Sequence, residues 1–438
     1  MVLNVLLVGL IIEFILTLFI FKNDFLSPAV IFNGVFLMSA MNLRMMVDFW
    51  KVELHPITTG IILSGVLIFT IVGYVTSITK MRVPNKIKDQ KIKTIYIPNM
   101  TLDLLIIVYA LVIVLSMIST IRSKGLGYSF SSLLLNYVTA IEGEETLNLP
   151  AVLSILFMLG SVSGYIWCYL LAEQWVNKKL NWRFVILVLE VVLMGFSVGK
   201  RGESVAVLVS LVFDLLILLR RAGKGKNKRR SKKVYVSIAF IIIIIPLAFQ
   251  TISNTMGRDS YLFNPFEYLS IYIGAPILNL DISVANGGFK HPVPMSETFR
   301  SLYRAVGHNL GIDQFIYNSD RRFLTSVNGK RIGNVDTTFY DFFHDGGFIG
   351  VIILVAIMSV IIYRLYKSVK LKNDEHNMIR IIVYSYMLWL VARSFFANSF
   401  YEWITLSTIR TLLIWFLIEW ILNKGLKFRR VKTSSFFQ

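Results

Sequence analysis

Long apolar runs alternate with shorter polar connections along most of the chain. A helix needs roughly 17–25 apolar residues to cross the hydrocarbon core of a bilayer. Eleven runs approach or reach that length, namely Val2–Phe21, Phe25–Met41, Ile57–Ile78, Leu102–Ser119, Ala151–Leu171, Trp182–Val198, Ser204–Leu219, Val234–Ile252, Phe348–Tyr363, Met378–Phe396 and Ile404–Ile421. The pattern therefore predicts an all-α polytopic membrane protein with about eleven transmembrane helices.

One long polar stretch, from Ser253 to Gly346, interrupts this pattern. It divides the chain into residues 1–252 with predicted transmembrane helices 1–8, residues 253–346 as a loop, and residues 347–438 with helices 9–11 and a basic tail. The loop is rich in aromatic, basic and acidic residues. We expect any chemistry that the protein performs to lie in this loop.

The distribution of lysine and arginine predicts the orientation of the chain. These residues are concentrated in every second connection, namely Lys80–Lys93, Val176–Leu180, Arg220–Lys233, Arg364–Lys372 and the tail Lys424–Lys432. Basic loops are retained on the cytoplasmic side of a membrane. We therefore predict that the N-terminus and residues 253–346 are exterior and that the C-terminus is cytoplasmic.

Composition excludes two other classes of protein. The 438 residues are 55% hydrophobic and only 16% charged, which is outside the range of soluble globular proteins. A net charge of +19 would suggest nucleic acid in a soluble protein, but here the basic residues fall in the short loops that orient helices, so we expect no nucleic-acid partner. The single cysteine, Cys168, excludes an intrachain disulfide and a cysteine-based metal site.

The exterior segment contains signals for three helices. Asn264, Pro265 and Glu267 form an N-cap, a first-turn proline and a capping box. The helix that they open should kink at Pro276 and end at Asn286–Gly287–Gly288. It is apolar enough to lie in the membrane interface or to pack on the transmembrane helices.

The second exterior helix should carry a row of cations. We predict that Ser296 caps it and that Glu297 lies in its first turn. Arg300, Arg304 and His308 are spaced at i, i+4 and i+8, so they form one stripe along the helix.

The third exterior helix should begin near Asp336 and run to Asp345, before a break at Gly346–Gly347. Asp341, His344 and Asp345 share one face of it, and a carboxylate beside an imidazole is the usual composition of a general base. The alternative is that Asp336 only caps the helix and that the other polar residues form a solvated face.

Basic residues near the outer ends of predicted spans extend this candidate site. Lys200 and Arg201 lie between glycines in the turn after the sixth span, and Arg393 lies toward the outer end of the tenth. Arginines that converge at the outer leaflet suit a membrane-anchored phosphate, because guanidinium binds phosphate oxygens bidentately. Arg201 could instead extend along the membrane interface as an isolated side chain.

Two motifs associated with other chemistries are missing from the sequence. It contains neither a phosphate-binding G-x-x-x-x-G-K-[ST] loop nor a zinc-binding H-E-x-x-H helix. We therefore expect no metal and no cofactor. The energy for a reaction would have to come from the phosphate ester of the substrate.

Two short motifs carry a resemblance to a known family. The turn at residues 197–203, SVGKRGE, and the run at residues 334–350, NVDTTFYDFFHDGGFIG, together with the predicted topology, resemble the Wzy-type oligosaccharide repeat-unit polymerases of bacterial O-antigen, capsule and exopolysaccharide pathways. The resemblance implies a fold similar to the C-type glycosyltransferases. It also implies that the chain joins undecaprenyl-diphosphate-linked repeat units on the exterior face of the bacterial cytoplasmic membrane without a metal.

The resemblance suggests roles for the candidate residues. The groups that would bind the pyrophosphate are Lys200, Arg201, Arg300, Arg304 and Arg393. The acceptor hydroxyl would be deprotonated by His308 or His344, oriented by Asp341 or Asp345, with Asp336 or Asp341 as alternative bases. Expected partners are the lipid-linked oligosaccharide, membrane lipid, a flippase and a chain-length regulator.

Three other functions remain open at this stage. An O-antigen ligase would use the same lipid donor with a different acceptor. A transporter or flippase would be expected to show internal repeats and broken helices at mid-membrane, and no internal repeat is visible. A structural scaffold is the third alternative, and the predicted intramembrane arginines Arg393 and Arg410 argue against it.

Overall fold

The structure is a computed structural model that describes residues 1–79, 95, 97–123, 125, 149–197, 201–222, 264–287, 293–316, 323–371 and 377–425. Most of these residues are helical. The helices are α1 Val2–Ile20, α2 Pro28–Met45, α3 Val47–Trp50, α4 Pro56–Ile78, α5 Asn99–Ser123, α6 Ala151–Asn177, α7 Trp182–Ser197, α8 Arg201–Arg221, α9 Pro265–Ile273, α10 Ala275–Asn286, α11 Arg300–Leu310, α12 Thr338–Leu371, α13 Asn377–Ala392, α14 Ser399–Glu402 and α15 Leu406–Trp420.

Short irregular elements complete this description. Strands β1 (Leu324–Thr325) and β2 (Arg331–Gly333) pair antiparallel as a hairpin. The 3₁₀ turns Asp313–Phe315 and Arg393–Phe395 follow α11 and α13, and a π-helical turn, Ile421–Gly425, follows α15.

The helices confirm an all-α polytopic membrane protein. In the described ranges, eight segments are long and apolar enough to cross a membrane: Val2–Ile20, Pro56–Ile78, Asn99–Ser123, Ala151–Asn177, Gly202–Arg221, Thr338–Lys370, Met378–Phe395 and Leu406–Asn423. Two further predicted spans, Phe25–Met41 and Trp182–Val198, fall on α2 and α7, which are not among the eight. The predicted span Val234–Ile252 lies outside the described residues, so the number eleven stays a prediction.

The chain forms two compact units, each assembled from three separate segments. The first unit consists of Met1–Val83, Asn264–Leu371 and Met387–Arg410, and the second of Pro84–Phe263, Lys372–Tyr386 and Thr411–Gln438. The exterior segment predicted from the sequence thus belongs, from residue 264 onward, to the same unit as α1–α4.

Helices α4 and α12 pack closely along the first unit because glycines leave room for aromatic rings. A Cβ on Gly65 would lie 2.3 Å from the ring of Phe339, and a Cβ on Gly73 would lie 2.3 Å from the ring of Tyr363. Both rings are fully buried. Small residues allow membrane helices to approach closely, so these two glycines set the distance between α4 and α12.

Helices α9 and α10 form a bent pair, and its ends match the sequence prediction. The side chain of Asn264 accepts a hydrogen bond from the backbone N–H of Phe266 (3.0 Å), which confirms the predicted N-cap. Gly287, with φ of 61°, follows the last residue of α10, as the predicted end requires. The pair is apolar and long enough to count as one broken span, so part of the segment predicted to be exterior has the composition of a membrane helix.

The bend between α9 and α10, of 52°, falls at Gly274, two residues before the predicted kink at Pro276. A Cβ on Gly274 would lie 2.5 Å from Oδ1 of Asn42 and 2.8 Å from the backbone nitrogen of Leu43. The bend therefore lies where this pair contacts the backbone of α2 and only glycine fits.

The predicted N-cap at Ser296 is wrong. Residues 294–299 form turns, and α11 begins at Arg300 without a side-chain cap. The carboxylate of Asp345 accepts hydrogen bonds from the backbone N–H groups of Glu297 and Thr298, which would otherwise belong to the first turn of a helix. A contact from a distant element therefore replaces the local cap.

Helix α12 contains the predicted glycine break. It starts at Thr338, two residues after Asp336, and continues to Leu371. Gly346 (φ −150°, ψ 15°) and Gly347 (φ 57°, ψ −148°) are not helical. The residues before them form a separate helical segment, which carries Asp341, His344 and Asp345.

Candidate functional site

Several loops and helix ends meet at one end of the first unit. The side-chain amide of Asn328 in the β1–β2 hairpin donates to the carbonyl oxygen of Phe49 (2.8 Å), and the ammonium of Lys330 lies 5.0 Å from the ring centre of Phe49. The amide of Asn279 in α10 donates to the carbonyl oxygen of Val335 (2.7 Å), just before α12. The loop before α4 and the segment before α12 therefore lie at the same end of the first unit. The side of the membrane stays a prediction.

Arg300 is bound by two carboxylates. Its guanidinium forms an ion pair and a hydrogen bond with Glu402 in α14, and a second ion pair with Glu297 at 3.5 Å. Glu297 is almost fully buried and Arg300 is largely buried. The guanidinium is therefore already engaged by protein, and it anchors the start of α11 to α14.

Arg304 and His308 are exposed on the same helix. They lie one and two turns beyond Arg300. Neither makes a hydrogen bond or an ion pair with any residue in the described part of the chain. The predicted cationic stripe thus separates into an anchoring member, Arg300, and two members that are accessible to a ligand.

Asp345 fixes the turn before α11 and also contacts His344. Its Oδ2 accepts from the N–H of Thr298 (2.7 Å) and its Oδ1 from the N–H of Glu297 (3.3 Å). Its Oδ1 lies 3.2 Å from Nδ1 of His344. The predicted pairing of His344 with Asp345 is present, but only 8% of the histidine side chain is exposed.

Asp336 and Asp341 are buried. Asp336 is 3% exposed and Asp341 is 0% exposed. The side-chain hydroxyl of Thr298 donates to the carbonyl oxygen of Asp341 at 3.5 Å, which brings the turn before α11 against α12. Asp341 therefore does not belong to a solvated face, and that part of the alternative reading of the third helix is wrong. The other part, that Asp336 only caps the helix, is not decided by its burial.

Arg393 lies among aromatic rings in the first unit. Its guanidinium carbon is 5.7 Å from the ring centre of Trp389 and 5.6 Å from that of Phe396. The ring of Phe396 in turn lies 5.9 Å from that of Tyr272 in α9. Cation–π contacts of this kind stabilise a guanidinium, so these rings hold Arg393 in place.

Arg201 belongs to the second unit. Arg201 is the first residue of α8, and its side chain lies outside the described residues, as does Lys200. The expectation that they converge with the arginines of α11 and Arg393 therefore stays a prediction.

The sequence analysis missed a second imidazole–carboxylate pair, His55 with Asp281. Asp281 in α10 accepts from the N–H of His55 (2.9 Å) and from the hydroxyl of Thr58 (2.6 Å), and its Oδ2 lies 2.9 Å from Nδ1 of His55. The carboxylate is buried, whereas 57% of the histidine side chain is exposed. A lone aspartate in the apolar run of α10 was the only sequence signal, because the two residues are 226 positions apart.

The chemistry available at this end of the unit is binding of an anion and acceptance of a proton. The exposed cations Arg304 and His308 can contact an anion, and two imidazoles are held by carboxylates. Within the described ranges, no group of three or more histidine, cysteine, aspartate or glutamate residues could hold a metal ion.

Comparison with known proteins gives no family for this chain. No protein-family model matches it, and no curated protein or solved structure is similar to it. The resemblance to the repeat-unit polymerases therefore rests on the residues quoted above.

Proposed function

We propose that this protein is a glycosyltransferase that joins undecaprenyl-diphosphate-linked oligosaccharide repeat units into a surface polysaccharide on the exterior face of a bacterial cytoplasmic membrane. The observation that carries the proposal is the exposed pair Arg304 and His308 on α11, a helix that is fixed at one end of a transmembrane unit. The resemblance of the two motifs to repeat-unit polymerases supports the same substrate class.

The contacts that anchor α11 favour a binding role for its exposed face. Arg300 is bound to Glu297 and Glu402, and Asp345 binds the backbone of the turn before the helix. The side-chain amide of Asn398 also donates to the carbonyl oxygen of Thr298 (3.0 Å). A helix anchored in this way presents Arg304 and His308 in a defined position, and preorganised donors stabilise developing charge better than mobile ones.

A lipid diphosphate suits these groups and this location. The guanidinium of Arg304 can donate two parallel hydrogen bonds to phosphate oxygens, and His308 on the next turn can donate a further one. As the sugar–phosphate bond breaks, negative charge accumulates on the leaving diphosphate, where these donors would stabilise it. The lipid tail keeps the substrate in the membrane beside the unit.

The acceptor sugar also needs a base for its hydroxyl group. His308 is accessible but has no carboxylate partner within the described residues, and His344 has Asp345 but is largely buried. Both remain candidates from the sequence. Neither combines access to solvent with a carboxylate that orients the ring.

The test uses purified full-length protein and lipid-linked oligosaccharide extracted from a strain of the source bacterium that lacks the gene. We expect the wild type to convert the extract into a ladder of longer lipid-linked chains. Arg304→Lys should reduce the ladder strongly, because lysine keeps the charge but loses the planar fork. Arg331→Lys, at an exposed arginine of the β1–β2 hairpin, is the matched control and should leave the ladder unchanged.

Three outcomes would contradict the proposal or part of it. A wild-type protein that makes no ladder from this extract would refute the polymerase activity. A single transfer to a lipid A core acceptor, without chain growth, would favour the ligase. Wild-type ladders from Arg304→Lys at normal protein levels would remove Arg304 from the diphosphate site.

A further inference from the structure

The pair formed by His55 and Asp281 lies at the same end of the first unit as α11 and the start of α12. His55 immediately precedes α4, and Asp281 lies in α10, which contacts the segment before α12 through the bond from Asn279 to Val335. Asp281 accepts from the N–H of His55 and the hydroxyl of Thr58, and Nδ1 of His55 lies 2.9 Å from its Oδ2. The imidazole is therefore held through Nδ1 by the carboxylate of Asp281.

The two nitrogens of this ring have different surroundings. Nδ1 faces the buried carboxylate of Asp281, to which it donates when it carries the proton. In that tautomer Nε2 is an acceptor, and 57% of the histidine side chain is exposed. An imidazole that is oriented by a carboxylate on one nitrogen and open on the other has the arrangement of a general base.

His55 differs in this respect from both histidines that the sequence singled out. His308 is exposed but has no carboxylate partner within the described ranges. His344 lies 3.2 Å from Asp345, which also binds two backbone N–H groups, and its side chain is only 8% exposed. Of the three, His55 alone has both a short contact to a carboxylate and an accessible ring.

We propose that His55 accepts the proton of the acceptor sugar hydroxyl and that Asp281 is its positioning residue. This inference rests on the proposed function. The hydroxyl oxygen forms the new bond to the anomeric carbon of the donor, and its proton passes to Nε2 of His55. The bond from the anomeric carbon to the diphosphate oxygen breaks, and its electron pair leaves with the lipid diphosphate.

The charges around the ring are compatible with this role. The loop that carries His55 also contains the exposed Lys51 and Glu53, and α10 contributes the buried Asp281. When Nε2 accepts a proton, the positive charge on the ring is balanced by the carboxylate at Nδ1. The positive charge on the ring therefore forms beside a fixed negative charge.

The structure provides variants that separate a chemical role from a structural one. His55→Ala removes the ring but keeps the backbone N–H and Thr58, which are the other two donors to Asp281. His55→Gln can still donate a hydrogen bond to Asp281 and likewise lacks the base. Arg331→Lys, at the exposed arginine of the β1–β2 hairpin, leaves both His55 and Asp281 unchanged, so it is the control.

The experiment measures turnover and the donor KM with the extracted lipid-linked oligosaccharide. We expect His55→Ala and His55→Gln to lower kcat by about a hundredfold or more at an unchanged KM, the usual contribution of a general base. Added imidazole should restore part of the turnover of His55→Ala, and Arg331→Lys should stay near the wild-type rate.

The outcomes distinguish this inference from the proposed function. If the wild type makes no ladder, the proposed function fails and takes the inference with it. Thermal unfolding shows whether the two His55 variants are folded. If the wild type makes a ladder and both folded variants match its kcat, only the inference is overturned. Loss of turnover in His344→Ala but not in the His55 variants would return the role to His344.

Discussion

Arg300 and Arg304 are one helical turn apart on α11, yet their surroundings differ completely. Arg300 contacts the buried Glu297 and the partly buried Glu402, whereas Arg304 is exposed. A buried carboxylate that loses its only cation is costly, while an exposed charge contributes little to stability. The spacing in the sequence could not separate these two residues, because Glu402 lies 102 positions from Arg300.

Replacing each arginine by methionine should therefore have different effects on stability. We expect Arg300→Met to lower the free energy of unfolding by about 3–5 kcal/mol, because Glu297 stays buried without its partner. Arg304→Met should change the free energy of unfolding by less than about 0.5 kcal/mol. Thermal unfolding of the purified proteins in detergent measures the difference.

A second substitution provides the control for this prediction. Glu297→Gln removes the buried charge, so the double variant Arg300→Met with Glu297→Gln should recover part of the lost stability. Equal unfolding temperatures for Arg300→Met and Arg304→Met would show that the ion pairs of Arg300 do not anchor α11.

At the scale of single elements, contacts between residues close in sequence were predictable, whereas contacts between residues far apart in sequence were not. The N-cap at Asn264 was predicted correctly because the bond to Phe266 spans two residues. The cap at Ser296 was predicted wrongly because Asp345, 48 positions from Glu297, binds the turn instead. Asp345 beside His344 was visible in the sequence, whereas Asp281 beside His55 depends on how α10 packs against α4.

The glycine break in α12 leads to a prediction about two neighbouring residues. A Cβ at either Gly346 or Gly347 would have no atom within 4 Å, so only backbone conformation distinguishes them. Gly347 has φ of 57° and ψ of −148°, a region open essentially to glycine alone, whereas Gly346 has φ of −150°. We expect Gly347→Ala to destabilise the protein by about 1–3 kcal/mol and Gly346→Ala to cost clearly less.

Thermal unfolding and the activity of both alanine variants test this prediction. Gly347→Ala should also reduce turnover, because the break sets the direction of the segment that carries His344 and Asp345 relative to the rest of α12. If the two variants unfold at the same temperature, the positive φ at Gly347 is not required by the fold.

At the scale of the whole molecule, the apolar runs predicted the class of protein because a membrane span is a local property. Hydropathy over about 20 residues decides whether a helix can cross the hydrocarbon. The division into two units was not predictable in this way, because each unit combines segments from both halves of the chain. Which helices pack together depends on side chains far apart in sequence, such as Gly65 and Phe339.

The loop before α4 and the β1–β2 hairpin lie at the same end of the first unit, so cysteine labelling can test the predicted topology. Cys168 is the only cysteine in the sequence and is buried, so we expect little background labelling of the unsubstituted protein. Glu53→Cys places an exposed thiol in the loop before α4, and Val327→Cys places one in the β1–β2 hairpin. The hairpin contacts the residues before α4 through the bond from Asn328 to Phe49. Arg364→Cys places an exposed thiol on the second half of α12. In intact cells, a membrane-impermeant maleimide should label the first two and should label Arg364→Cys only after permeabilisation.

Two results would contradict this prediction. Labelling of Glu53→Cys but not of Val327→Cys would contradict the contact between the loop and the hairpin. Labelling of Arg364→Cys alone in intact cells would reverse the orientation and place the candidate site on the cytoplasmic side.

The packing of α4 against α12 has a consequence for biogenesis. The hydroxyl of Ser359 in α12 donates to the carbonyl oxygen of Phe69 in α4, and the two residues are 290 positions apart. At a synthesis rate of about 5–20 residues per second, roughly 15–60 s pass between translation of the two partners. During that interval α4 is in the nascent chain without the helix that fills the space beside Gly65 and Gly73. We therefore expect that slower translation, or a substitution that weakens the packing of α12 against α4, increases cleavage of the early helices by membrane proteases. This cleavage would occur during synthesis, even where the finished protein is stable.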